Sequence, residues 1–185
     1  MRLDQLERLR QEQRVELFYF PCEVRVHGKD IFVVWHEGRF VLRPDGQLLR
    51  AWSLDELVSD ADEMGLSLIE DEPVRYDFDR LRDWCAEVTA EGVDCPDFLN
   101  AWNFFDDLAK SHEDSESVHF RVSRSADHIY EKLFWGNNLP SVTPPGERFA
   151  PVWSTDELAE IRRLIESGLQ LVEEMLGRSG PAKQN

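Results

Sequence analysis

The chemistry-bearing side chains of this 185-residue chain are mostly carboxylates: 37 Asp and Glu, against 21 Lys and Arg, 5 His and 3 Cys. Carboxylates that converge can hold a divalent cation or divide acid and base roles between them. The clusters on offer are Asp60 with Asp62, Glu70 to Glu72, Asp77 with Asp79, and Asp106 with Asp107. Their spacing supplies local reasons instead. Asp60 and Asp62 are two apart in a helical segment, so their side chains diverge. Asp77 suits a helix N-cap, Asp79 suits the first turn behind it, and Asp106 and Asp107 follow Phe105 onto a polar face. No catalytic residue, metal ligand or cofactor is assigned, and the chain is not read as an enzyme. A metal-dependent hydrolase using clustered carboxylates stays open as an alternative.

The remaining reactive types add little. His27, His36, His112, His119 and His128 are scattered through turn-like sequence, none at metal-ligand spacing from another His or a Cys. Cys22, Cys85 and Cys95 are odd in number and lack a CxxC pair, which argues against a disulfide framework or a four-ligand zinc site. They read as reduced, small apolar residues. The chain has no GxxxxGK[ST] loop, GxGxxG turn, GxSxG elbow or HExxH helix.

Charge is the strongest functional signal. The net charge is −16. Residues 54–116 hold 20 acids and four bases (Arg75, Arg80, Arg82 and Lys110), so this third carries the whole excess. Such a field repels nucleic acid and attracts basic proteins, with an effect on association rate that salt weakens. The partner expected from charge alone is a basic protein, with no direct nucleic-acid binding.

Hydrophobic patterning places these groups on elements. Val15–Phe20, Cys22–Val26, Ile31–Trp35, Phe40–Leu42 and Leu48–Trp52 alternate like strands. They are separated by the tight-turn sequences His27-Gly28-Lys29-Asp30, His36-Glu37-Gly38-Arg39 and Arg43-Pro44-Asp45-Gly46. Connections this short imply an antiparallel meander. Ser53 and Glu56 form a capping box that opens a helix ending near Gly65, with Trp52 and Leu57 at hydrophobic-staple positions; Trp153-Ser154-Thr155-Asp156-Glu157-Leu158 repeats the signal. Leu66–Ile69 adds a possible strand, followed by the acidic turn Glu70–Pro73. Helical stripes then run from Asp77 to before Gly92, from Pro96 to Ser111 and from Thr155 to Leu176, and a short charged helix is expected over residues 3–13. Strands first and helices afterwards mean an α+β fold: a β-rich part (15–52) packed against three or four helices (53–177) in one domain, 1–177, with a frayed tail, 178–185. The longest apolar run, Ile31 to Trp35, is far below the roughly 20 residues that cross a bilayer. The N-terminus lacks an apolar leader-like run, so a cytoplasmic location is expected.

Two segments carry a family likeness: Phe98-Leu99-Asn100-Ala101-Trp102-Asn103-Phe104-Phe105-Asp106-Asp107-Leu108-Ala109, and Ile129 to Pro140 with the following Thr143-Pro144-Pro145-Gly146. Over residues 95–176 the chain resembles the helical part of bacterial immunity proteins of contact-dependent and other polymorphic toxin systems. The resemblance implies a cytoplasmic protein that neutralises one cognate toxin domain by forming a stoichiometric complex. A nuclease-type toxin would be basic and so complementary to this charge. The expected interface draws on Asp60, Asp62, Glu63, Glu70, Asp71, Glu72, Asp106, Asp107, Glu113 and Asp114, with Tyr130 and Trp135 as aromatic anchors. An acidic adaptor or regulator of another basic client is the alternative.

Overall fold

Two tight reversals organise the sheet. In the computed structural model, which describes residues 18–112 and 126–177, β1 (Phe20–Val26) and β2 (Lys29–His36) pair antiparallel. They are joined by His27 and Gly28 at φ 52° and 70°, and β2 turns into β3 (Arg39–Phe40) through Glu37 and Gly38 at φ 46° and 76°. Two consecutive positive-φ residues make the type I′ geometry whose twist suits a hairpin, and glycine occupies the second position each time. The expected strands at 40–42 and 48–52 shorten to β3 and β4 (Arg50–Ala51), both beside β2, with a single bridge from Leu42 to Leu48.

The strands within 15–52 pair antiparallel as expected, and a further strand outside them makes the sheet mixed. β5 (Val74–Asp77) lies parallel to β1, in register Cys22 with Val74 through Arg25 with Asp77. A parallel neighbour needs a crossover connection, and α1 (Leu54–Glu63) supplies it between β4 and β5. The expected strand at Leu66–Ile69 reduces to one parallel bridge, Leu68 with Tyr19.

Side chains alternate between the two faces of the sheet. Val34, Leu49 and Ala51 meet Leu57 and Ala61 of α1 in a small core. Cys22, Val24 and Val33 face the larger core, filled by α2 (Phe78–Ala86), α3 (Cys95–Ser111), α4 (Asp127–Gly136) and α5 (Thr155–Gly177). The α+β class is as expected, with α1 on one face and four helices on the other. Helix starts follow their sequence signals. Asp77, Asp94 and Ser154 each accept a hydrogen bond from the backbone N–H three residues on, and Pro96 occupies the first turn of α3. Glu157 completes the box on α5 by accepting from the Ser154 N–H at 2.8 Å.

Three local expectations change. Trp52 does not staple onto Leu57: it is 57% exposed, on the other side of the sheet, with the Lys29 ammonium 5.8 Å and the Arg50 guanidinium 6.0 Å from its ring centre. α2 stops at Ala86 because the chain folds back over Trp84, whose indole N–H donates to the Thr89 carbonyl at 3.0 Å. The Gly-Asn-Asn breaker is an ordered latch. Asn138, at φ 51°, donates to the carbonyls of Gly136 and Phe149 (2.7 and 2.9 Å) and accepts from the Phe149 N–H at 2.7 Å. The expected helix at 3–13, most of the strand at 15–20, His119 and the tail at 178–185 lie outside the described residues.

Candidate functional site

The acidic third separates into two populations. The first is tied up inside the fold. Asp107 accepts from the Trp35 indole N–H at 2.8 Å and from Lys110 at 3.2 Å, joining α3 to β2. Asp79 accepts from the backbone N–H groups of His27 and Gly28, both at 2.7 Å, and from Arg82 at 3.0 Å, clamping the tip of the first hairpin onto α2. Partial burial pushes the Asp79 carboxyl up, but those amides and the guanidinium outweigh it and hold the group below the usual carboxylate range. Asp60 binds the Arg43 guanidinium, Asp97 pairs with Arg80, and Asp106 pairs with Lys110 at 2.7 Å.

The second population, without such ties, includes the exposed Asp83, Glu87 and Glu91 on and just after α2 and, on α1 and the segment beside it, Asp55, Asp62, Glu63, Glu70, Asp71 and Glu72. None of the last six forms an ion pair or a side-chain hydrogen bond among the described residues. Leu54, Val58 and Asp62 recur every four residues, on a stripe of α1 next to the buried Leu57 and Ala61. Opposite runs the 67–71 segment, and between them lies a groove of about 410 Å³ floored by Pro21, Leu54, Val58, Leu68 and Ile69. Asp62, Glu70 and Asp71 form its rim.

The rim projects because the chain bulges there. From Tyr19 to Cys22 is three steps, whereas from their partners Leu68 to Val74 is six. The three surplus residues form an excursion at the sheet edge, and Glu70, Asp71 and Glu72 lie on it, all exposed. Two unit charges 4 Å apart in water interact by only about 1 kcal/mol, so a single carboxylate attracts weakly. Three unneutralised ones, Asp62, Glu70 and Asp71, around an apolar floor make a surface that draws in cations and then rewards the burial of an aliphatic side chain.

The structure therefore brings Asp62, Glu70 and Asp71 together around one groove, leaves Glu63 and Glu72 exposed outside its lining, and ties Asp60, Asp106 and Asp107 to internal partners. Tyr130 and Trp135 lie on α4, on the opposite face of the sheet from α1. Tyr130 donates to Asn103 at 3.1 Å and packs edge-on against Trp102, whereas Trp135 is 46% exposed. Glu113 and Asp114 lie outside the described residues. The apolar floor was not anticipated, although the four-residue spacing of Leu54, Val58 and Asp62 signalled it.

Other chemistry is sparse. Cys22, Cys85 and Cys95 are buried free thiols, and burial pushes Cys22 and Cys85 up to about 12 and about 11. Among the described residues no three His, Cys, Asp or Glu side chains assemble as a metal-ligand set, and no helix is long and apolar enough to cross a membrane. Comparison with protein-family models, curated proteins and solved structures finds no match to this chain.

Proposed function

We propose that this chain is a stoichiometric protein inhibitor: an immunity protein that captures a basic bacterial toxin domain through the acidic groove between α1 and residues 67–71. One observation carries the reading. Asp62, Glu70 and Asp71, none with a partner among the described side chains, rim one apolar groove, while most carboxylates from α2 to α3, Asp83, Glu87 and Glu91 excepted, are tied to caps and ion pairs. A surface that merely kept the protein dispersed would need no apolar floor. Charge complementarity speeds encounter, and the buried floor slows release; an antidote needs both.

The test is affinity capture by the full chain from its native organism, washed at low and at high salt, with mass spectrometry of what is retained. One basic toxin-like protein held at one-to-one stoichiometry supports the reading. Retention of a regulatory or housekeeping protein in its place would assign the groove to an adaptor, and an empty capture at both salts would overturn the inhibitor reading.

A further inference from the structure

Residues 1–17 join the described fold at Phe18, one residue before Tyr19. Tyr19 bridges Leu68, and its carbonyl accepts from the Ile69 N–H at 2.9 Å. Leu68 and Ile69 belong to the floor of the acidic groove beside α1, so residues 1–17 are tethered at the groove itself. We propose that residues 2–14 lie in this groove as an amphipathic helix, a built-in occupant that a partner must displace. The docking rests on the groove and on the sequence of the segment. Its regulatory consequence rests on the reading that a basic partner binds there.

The segment and the groove carry matching patterns. At helical spacing Leu3, Leu6 and Leu9 share one face with Arg2, Arg10 and Arg14, while Asp4, Glu7 and Glu12 fall outside it. Residues 1–17 as a whole hold four Arg and four acids, so the attraction comes from this placement and not from net charge. The groove offers an apolar floor, on which Val58 is 39% exposed, inside a rim of Asp62, Glu70 and Asp71. No Lys, Arg or His is among the described residues that line it, so nothing there competes with an arginine for the rim. Seating the leucines on the floor removes apolar surface from water on both sides.

Length permits the arrangement. A helix over residues 2–14 is about 20 Å long, against roughly 12 Å of α1 from Leu54 to Asp62, and residues 15–17 can span about 10 Å back to Phe18. A connection this short holds the segment at an effective concentration on the order of 1 mM. An intrinsic dissociation constant of about 0.1 mM would then keep the groove occupied roughly nine-tenths of the time and weaken a competitor's apparent affinity about tenfold. Exposed ion pairs hold weakly, so a partner bringing more positive charge displaces the segment, whereas weakly basic proteins do not.

The experiment is methyl NMR on the full chain. Wild type should show nuclear Overhauser contacts from the methyls of Leu3, Leu6 and Leu9 to those of Leu54, Val58 and Ile69. The variant Arg2→Glu, Arg10→Glu, Arg14→Glu should lose them, and adding Asp62→Arg, Glu70→Arg and Asp71→Arg should restore them. Contacts absent from wild type, unchanged in the first variant or unrestored in the second would overturn the docking. Contacts found only between differently labelled copies would assign the groove to a second chain and overturn the tethered arrangement. The variant Leu3→Ser, Leu6→Ser, Leu9→Ser keeps the charge and should bind an octalysine peptide about tenfold more tightly than wild type; equal affinity would overturn the gating role. The inhibitor reading fails separately, by an empty capture, whatever these contacts show.

Discussion

Replacing Gly168 by alanine should destabilise this protein, although helix propensity alone argues the opposite. Gly168 lies within α5, where a Gly-to-Ala change usually stabilises by about 1 kcal/mol. A Cβ there would sit closer than 3.0 Å to three atoms of the Phe105 ring. That ring is fully buried on α3 and packs at 5.3 Å from Phe78 and 6.5 Å from Phe104, so it has no open space to enter. Overpacking of a tight core costs about 1–3 kcal/mol, and the close approach to a rigid ring puts this site at the upper end. The balance is a loss of about 1–2 kcal/mol, or a fall of roughly 2–8 °C in Tm for a chain of this size. Urea unfolding of wild type, Gly168→Ala and the exposed neighbour Ser167→Ala reads it directly; Ser167→Ala should be neutral or slightly stabilising. Phe105→Leu should reverse the sign of the Gly168→Ala effect by making room, a coupling that a double-mutant cycle isolates. A Gly168→Ala protein as stable as wild type would refute the argument that α3 and α5 touch backbone to ring.

Two further outcomes follow from the side-chain networks. Asn138→Ala removes one hydrogen bond to Gly136 at the end of α4 and the two that hold Phe149 beside it, and should cost about 1–2 kcal/mol, with protease cleavage appearing first in the 139–149 connection. Asp79 and Glu157 both ionise more readily in the fold than their ordinary values: burial opposes ionisation, but the amides and Arg82 around Asp79, and Lys132 and Ser154 around Glu157, prevail. A depressed folded value adds stability that is complete above the unfolded value and disappears as pH falls through the folded one. Stability should thus decline below about pH 4, and less steeply in Asp79→Asn; an Asp79→Asn protein with an unchanged acid limb in urea titrations would remove Asp79 from that account.

What the sequence disclosed was local. The paired positive-φ turns, the capping box at Ser154 and Glu157, and the stripe on α3 each depend on residues within a few positions of one another, so pattern reading found them. β5 escaped because its four residues are mostly exposed and owe their conformation to pairing with β1, some fifty positions earlier. The acidic third was plain from composition. Which of its carboxylates are available was not, because their partners are distant: Trp35 lies 72 positions from Asp107, and His27 lies 52 from Asp79. Neither separation leaves a periodic trace. Placement of α1 alone on one face, which sets its groove apart from Tyr130 and Trp135, was equally invisible, since an amphipathic helix does not state which face of a sheet it covers.

The central claim is that the unpartnered carboxylates beside α1 steer a basic partner into the groove. The most direct measurement is the association rate of the captured partner with wild type and with the triple variant Glu70→Lys, Asp71→Lys, Glu72→Lys, by stopped flow across a salt series. These residues are exposed and bind no other described side chain, so the variant should fold as wild type does. The account predicts an association rate at least about tenfold lower at low ionic strength and a flattened salt dependence, because the steering field is screened beyond roughly 8 Å at physiological salt. An association rate and salt slope equal to those of wild type would contradict it and exclude this surface as the one that meets the partner.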